Sequence, residues 1–215
     1  MKTAILFDLD GTLLDTLEDL RDAVNYALRA RGWPERSLEE VRRFVGNGAY
    51  RLNRLAAPES ASEAEVQALL AAFRGYYGEN CRVKTRPYDG IPEALEALRE
   101  KYPVAIVSNK PDSAVKTLCA DYFPGLYALG EAADCPRKPA PDMVYKAMAE
   151  LGVERCVYVG DSEVDVLTAK NAAVPCLSVL WGFRNRKELE EAGATAFCAA
   201  TEELITKIEE IMHGQ

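Results

Sequence analysis

Four short apolar runs punctuate the chain, and most of them stop on an abrupt polar residue. Thr3-Ala-Ile-Leu-Phe7 gives way to Asp8, Val104-Ala-Ile-Val107 to Ser108, and Cys156-Val-Tyr-Val159 runs through Gly160 to Asp161. The fourth, Pro175-Cys-Leu-Ser-Val-Leu180, leads into Trp181-Gly182-Phe183. These runs are continuous rather than alternating, which predicts strands buried on both faces, as in a parallel sheet covered by helices. Helical spacing fills the gaps between them. Ile91 to Lys101 carries Leu95 and Leu98 on one face. Pro111 to Ala120 and Pro141 to Leu151 each open with a proline suited to a helix's first turn, and Ser162 to Ala172 and Thr201 to Met212 complete the set. Strand and helix alternating with short loops predict a doubly wound parallel α/β sheet.

One stretch breaks the alternation. Between Phe7 and Val104 the pattern is almost wholly helical: Leu17, Leu20, Val24, Ala27 and Leu28 form one stripe. Ser62-Glu-Ala-Glu65 is a capping box before Val66, Leu69, Leu70, Phe73 and Tyr77 at helical spacing. A sheet crossover needs only one helix, so the surplus is expected to form a small inserted helical domain over residues 15–83. The α/β core then comprises residues 1–14 and 84–215.

Composition narrows the chemistry. The 215 residues carry 26 Lys plus Arg against 34 Asp plus Glu, a net charge of −8, which argues against nucleic-acid binding. No apolar run approaches the ~20 residues of a membrane span, and Asp8 comes too early for a signal peptide. A cytoplasmic protein is expected. Cys81, Cys119, Cys135, Cys156, Cys176 and Cys198 lack Cys-x-x-Cys spacing and read as free thiols. None has an Arg six positions on, and no Gly-Lys dipeptide marks a P-loop. The single histidine, His213, lies third from the C-terminus. Mechanisms needing a positioned imidazole, such as a Ser-His-Asp triad or a His-ligated zinc site, are therefore disfavoured, and any acid–base work falls to carboxylates or lysines.

Ligands of open parallel sheets sit at the carboxyl ends of the strands, where Asp8, Ser108 and Asp161 are expected to converge. Asp8 and Asp10, two apart in an extended segment, point the same way, and Gly11 permits a sharp turn. Alone, Asp-x-Asp-Gly also fits a simple turn or a calcium-like loop, although Thr12 stands where an EF-hand needs Asp or Asn. Asp161 and Asp165, four apart at a helix start, are expected to share a face, a repulsive pairing that a metal ion would explain. Lys138 lies in the proline-stiffened stretch Arg137-Lys-Pro-Ala-Pro-Asp142.

Taken together, Asp8-Leu-Asp10-Gly-Thr12-Leu13, Ser108-Asn109-Lys110, Lys138 in Lys-Pro-Ala-Pro, and Gly160-Asp161-Ser-Glu-Val-Asp165 resemble the motifs of the haloacid-dehalogenase-like phosphatases, in the family's order. The resemblance implies that family's Rossmann-like core with an inserted helical cap. It implies Asp8 as nucleophile through an aspartyl phosphate, Asp10 as general acid and base, and Ser108 and Lys138 on the phosphoryl group. Mg²⁺ would be held by Asp8, the backbone carbonyl of Asp10 and Asp161, while Asp165 orients Lys138 or a water on the metal. Two close carboxylates would keep a proton on Asp10. Mg²⁺ and Lys138 would supply the positive charge that Asp8, Asp161 and a phosphate require. The family usually carries Ala-Gly where this chain has Ala172-Ala173, a departure expected to alter a helix end rather than the chemistry.

The segment Phe44-Val-Gly46-Asn47-Gly48 resembles the cap loop of phosphoglycolate phosphatases, which adds Gly46, Asn47 and Gly48, with Thr12 and Asn109, to the expected substrate contacts. Arg51 and Arg54 are candidate carboxylate partners and Trp181 a candidate pocket rim. The expected substrate is a small phosphorylated metabolite, and the expected state monomer or dimer. The same motifs also suit a β-phosphoglucomutase-like mutase or a nucleotide or pyrophosphate phosphatase. A non-catalytic binding module is disfavoured by the complete motif set, as is a haloacid dehalogenase by the presence of Asp10.

Overall fold

The computed structural model describes residues 2–214. Its six-stranded sheet runs, edge to edge, β5 (Tyr127–Glu131), β4 (Val104–Pro111), β1 (Thr3–Phe7), β6 (Arg155–Gly160), β7 (Cys176–Val179) and β8 (Phe197–Cys198). Every pairing is parallel. Central β1 pairs Phe7 with Ile106 of β4 and with Val159 of β6, so these three residues lie at one level across the sheet. Its side chains alternate between the two faces. Ile5 and Phe7 enter the core under α5 (Ile91–Lys101), α6 (Asp112–Tyr122) and α10 (Leu204–His213). Ala4 and Leu6 enter the core under α7 (Asp142–Leu151) and α8 (Glu163–Asn171). All four are fully buried, each large side chain contributing roughly 1.5–3 kcal/mol of transfer free energy. This is the doubly wound α/β fold the apolar runs predict.

The long helical stretch forms α1 (Leu17–Arg29), α2 (Leu38–Phe44), α3 (Gly48–Ala56) and α4 (Glu63–Asn80). Val24, Leu28, Leu69 and Phe73 are buried in its interior, and Tyr26 stacks on Tyr76 with ring centroids 4.3 Å apart. Ser37 and Ser62 close capping boxes with Glu40 and Glu65. The chain enters this unit through β2 (Leu14–Asp15) and leaves through β3 (Arg86–Pro87), which pair antiparallel. Asp19 fastens the exit by accepting the Lys84 and Thr85 amides at 3.0 and 2.8 Å.

Several boundaries differ from expectation. β4 continues past Val107 to Pro111, with a register shift against β5, so Ser108, Asn109 and Lys110 lie within the strand. Pro111 and Pro141 are N-cap residues rather than first-turn residues. Edge strands β5 and β8 and the short α9 (Arg186–Glu191), capped by Asn185, are additions to the expected elements. Ala173, at the end of α8, has φ +54°, and is the only non-glycine with positive φ among the described residues. The Ala173 and Val174 amides donate to the Lys170 and Ala169 carbonyls, a Schellman closure that normally takes glycine.

Candidate active site

The carboxyl ends of β1, β4 and β6 open into one cavity, roofed by α1, α3 and α4. Asp8, Asp10, Ser108, Asn109, Lys110 and Lys138 line its floor. Gly46, Gly48, Leu52, Phe73 and Tyr77 line the roof. The cavity there measures about 50 Å³.

Asp8 continues β1 by donating its amide to the Val159 carbonyl at 2.8 Å. The chain then doubles back: the Leu13 and Leu14 amides both donate to the Leu9 carbonyl at 3.0 Å, around Gly11 at φ +84°. Glycine is required at position 11 twice over, since a Cβ would stand 2.3 Å from Asp161 Oδ2. Gly160 gives Asp165 the same freedom, its Cβ position lying 2.3 Å from the Asp165 side chain.

Lys138, 2% exposed, is the hub of the buried charges. Its Nζ lies 2.8 Å from Asp8 Oδ1 and 2.8 Å from Asp165 Oδ1, and donates to the Tyr158 hydroxyl at 3.0 Å. Asp165 also accepts from the Ser162 amide and hydroxyl at 3.1 and 2.6 Å. This overturns the helix-face reading of Asp161 and Asp165. Asp161 precedes the N-cap, while Asp165 is the N3 residue folded back in a capping box. Asp161 accepts the Phe183 amide at 2.7 Å and the Thr12 hydroxyl at 3.2 Å.

A second buried cation is Lys110, at the end of the Ser108-Asn109-Lys110 motif. Lys110 Nζ sits 2.6 Å from Asp10 Oδ1, which also accepts the Thr16 hydroxyl at 2.6 Å. The expected rationale for a proton on Asp10, repulsion from Asp8, thus meets an ammonium partner instead. Asp8 carries a raised carboxyl. Burial pushes it up to about 7 against the opposing pull of Lys138, with Asp165 and Asp10 adding to the rise. Asp161 is pushed well above the usual carboxylate range by burial, and then by Asp165 and Asp8. Lys138 is held above its ordinary value because Asp165 and Asp8 outweigh the burial that opposes its charge.

Carboxylate oxygens of Asp8, Asp161 and Asp165 all lie within 4.8 Å of one another. Lys138 serves Asp8 and Asp165, but Asp161 has no ion-pair partner within contact distance among the described residues. A buried carboxylate without a cation is costly, and an all-oxygen donor set suits a hard divalent ion such as Mg²⁺. The residues fit the ion.

The remaining expected contacts divide. Ser108 and Asn109 line the cavity, and Asn109 ties floor to roof by donating to the Lys138 and Gly46 carbonyls at 2.9 and 3.2 Å. Gly46 and Gly48 also line it, at φ +121° and +79°. Asn47 and Thr12 do not: Asn47 is the N-cap of α3, and Thr12 is engaged with Asp161. Arg51 is exposed, and Arg54 turns away to the Pro58 and Glu59 carbonyls. Trp181 donates to the Thr12 carbonyl at 3.0 Å, bracing the loop rather than rimming the pocket. His213 is exposed in the last turn of α10, away from the cavity. Arg184, which the sequence reading did not single out, lines the cavity and bridges floor to roof. It bonds Glu163 at 2.8 Å and donates to the Arg42 and Val45 carbonyls at 2.9 and 2.7 Å.

Comparisons with known proteins bear on the whole chain. A model of the haloacid dehalogenase-like hydrolases matches residues 2–173. The chain is 36% identical over 193 residues to the phosphoglycolate phosphatase of Rhodobacter capsulatus, covering 86% of this chain and 87% of that protein. With the phosphoglycolate phosphatase of Mesorhizobium japonicum it shares 34% identity over 218 residues, 95% of each. A solved structure from Lactobacillus delbrueckii subsp. bulgaricus, provisionally named a phosphoglycolate phosphatase, superposes with a TM-score of 0.91. Its sequence identity is 38%, over 97% of this chain and 99% of that one.

Proposed function

The chain belongs to the haloacid dehalogenase-like hydrolases, and we propose that it is a Mg²⁺-dependent phosphatase acting on a small phosphate monoester through an aspartyl phosphate on Asp8, with 2-phosphoglycolate as substrate. One observation carries the reading. Asp8 lines the cavity with the Lys138 ammonium at 2.8 Å and with carboxylate oxygens of Asp161 and Asp165 within 4.8 Å. This is a nucleophile set beside a fixed cation and within a cation-binding cluster.

In the first step a carboxylate oxygen of Asp8 bonds to phosphorus as the bond to the leaving oxygen breaks. Asp10 delivers a proton to that oxygen. Lys110 and Thr16 both bond Oδ1 of Asp10, which leaves Oδ2 as the oxygen that carries the proton. Lys138 neutralises Asp8 and the transferred group, and the Ser108 hydroxyl donates to a phosphoryl oxygen. In the second step Asp10 takes a proton from the attacking water, the Asp8–phosphorus bond breaks and phosphate leaves. Mg²⁺, held by Asp8, Asp161 and the backbone carbonyl of Asp10, supplies charge neutralisation for the phosphoryl oxygens when bound. Asp165 holds Lys138 in place, and Thr12 positions Asp161 instead of contacting substrate. We take residues 15–83 as the cap and residues 1–14 with 84–215 as the core.

The choice of substrate rests on the names of the relatives that the chain resembles along most of its length. A kinetic panel of 2-phosphoglycolate, a hexose phosphate, a nucleotide and pyrophosphate, with and without Mg²⁺, tests this. The expected result is metal-dependent phosphate release with the highest kcat/KM on 2-phosphoglycolate. Poor turnover of that ester beside rapid turnover of the others would overturn the substrate assignment.

A further inference from the structure

The roof of the cavity is apolar except at one side chain. Tyr77, on α4, is 2% exposed, and its buried hydroxyl has the Lys110 ammonium beside it but no acceptor for its own proton. Phe73 stacks on its ring with centroids 5.4 Å apart, packing that a phenylalanine would satisfy without an orphaned hydroxyl. Burial pushes the hydroxyl's pKa up, so it remains a proton donor.

Facing it is Lys110, whose Nζ lies 4.7 Å from the Tyr77 ring centroid. An ammonium has three donors; Asp10 takes one of them and the Tyr77 oxygen stands beside a second, which leaves the third uncommitted among the described residues. The other cations of the cavity are committed. Lys138 contacts Asp8, Asp165 and Tyr158, and Arg184 is spent on Glu163 and two roof carbonyls. Spare donor capacity around the leaving-group side of Asp10 is therefore concentrated in Lys110 and Tyr77.

We propose that Lys110 and Tyr77 form a subsite for a carboxylate on the alcohol portion of the substrate, selecting esters whose anionic group lies one or two carbons from the ester oxygen. The proposal rests on the phosphatase reading above. Because Lys110 bonds the residue that protonates the leaving oxygen, an anion it also contacts must be close to that oxygen. The apolar walls formed by Leu20, Leu52 and Phe73 disfavour any charge placed elsewhere on the roof.

The test compares kcat/KM for 2-phosphoglycolate with that for 2-hydroxyethyl phosphate, which has a neutral hydroxymethyl group where the former has the carboxylate. The proteins are the Mg²⁺-loaded wild type, Tyr77→Phe and Lys110→Gln, each checked for folding by circular dichroism. Wild type should favour the carboxylate ester. That ratio should fall about tenfold in Tyr77→Phe and further, about a hundredfold, in Lys110→Gln, as expected for lost hydrogen bonds to a charged group. Wild type without a preference, or either folded variant keeping the ratio within about twofold, overturns the subsite while leaving the phosphatase reading intact. Wild type that cleaves neither ester overturns both the subsite and the choice of 2-phosphoglycolate, and Mg²⁺-dependent cleavage of a hexose phosphate or nucleotide by the same preparation then shows that the phosphatase reading survives.

Discussion

The two walls of the cavity are built on opposite principles. The floor, at the strand ends, is a closed set of charges: Asp8, Asp165 and Lys138 share contacts at 2.8 Å, and Asp10 meets Lys110 at 2.6 Å. The roof is apolar, made of α1, α3 and α4 side chains, with a single orphaned hydroxyl on Tyr77. A floor whose groups hold one another is organised before substrate arrives, which suits chemistry that depends on electrostatic preorganisation. A roof with one unsatisfied donor is organised to complete itself around a ligand. The difference assigns reactivity to the floor and selection to the seam where Lys110 of the floor faces Tyr77 of the roof.

The comparison breaks most visibly at the floor's hub. Lys138→Ala strands Asp8 and Asp165 without their cation, so kcat should fall by about a thousandfold or more. Stability in denaturant unfolding should drop by about 3–5 kcal/mol, the usual penalty for breaking a buried ion pair. Loss of activity without loss of stability would mean that the floor is not held by its charges. Chelating divalent ions should abolish turnover, and re-adding Mg²⁺ should restore it. The sign of the pH effect follows from the raised Asp8 and Asp161. Both must be ionised to hold the cation, so lowering pH through about 7 adds protons that compete with it. The half-saturating Mg²⁺ concentration should rise as pH falls, by up to about tenfold per unit for each proton displaced. A requirement independent of pH between 6 and 8 would count against those carboxylates as ligands.

The link between the walls is tested by Arg184→Ala, which removes the donors to the Arg42 and Val45 carbonyls while the strand ends stay in place. KM should rise about tenfold with a smaller change in kcat; equal losses in both would place Arg184 in the chemistry instead. The smallest effect is expected remote from both walls. Ala173→Gly relieves a left-handed alanine and should raise stability by about 1 kcal/mol with kcat/KM unchanged.

The floor was also the more legible wall. Asp8, Ser108 and Asp161 each follow a continuous apolar run, so strand prediction alone brought them to one end of the sheet. What escaped depended on backbone detail. Asp165 bends back to its own N-cap instead of sharing a helix face with Asp161, a distinction of one or two residues in where α8 starts. β5 is interrupted by Gly130, which reads as a turn former, yet a Cβ there would stand 2.4 Å from the Asp112 Cα. The roof was legible at Gly46 and Gly48, which line the cavity as expected, and hardly elsewhere. Tyr77 belongs to an ordinary apolar helical stripe, and Arg184 follows a strand with no spacing that marks it. Their roles arise from tertiary contacts across more than a hundred positions for Arg184 with Arg42, which no local pattern encodes.

The central claim, that the floor turns over substrate through Asp8, is tested most directly by rapid acid quench of the Mg²⁺-loaded enzyme during turnover of 2-phosphoglycolate, followed by peptide mass spectrometry. The account predicts one phosphoryl group on the peptide bearing Asp8, carried by the Asp8 carboxylate, and no turnover by Asp8→Asn. A phosphoryl group on any other residue, or sustained turnover by Asp8→Asn, would contradict it.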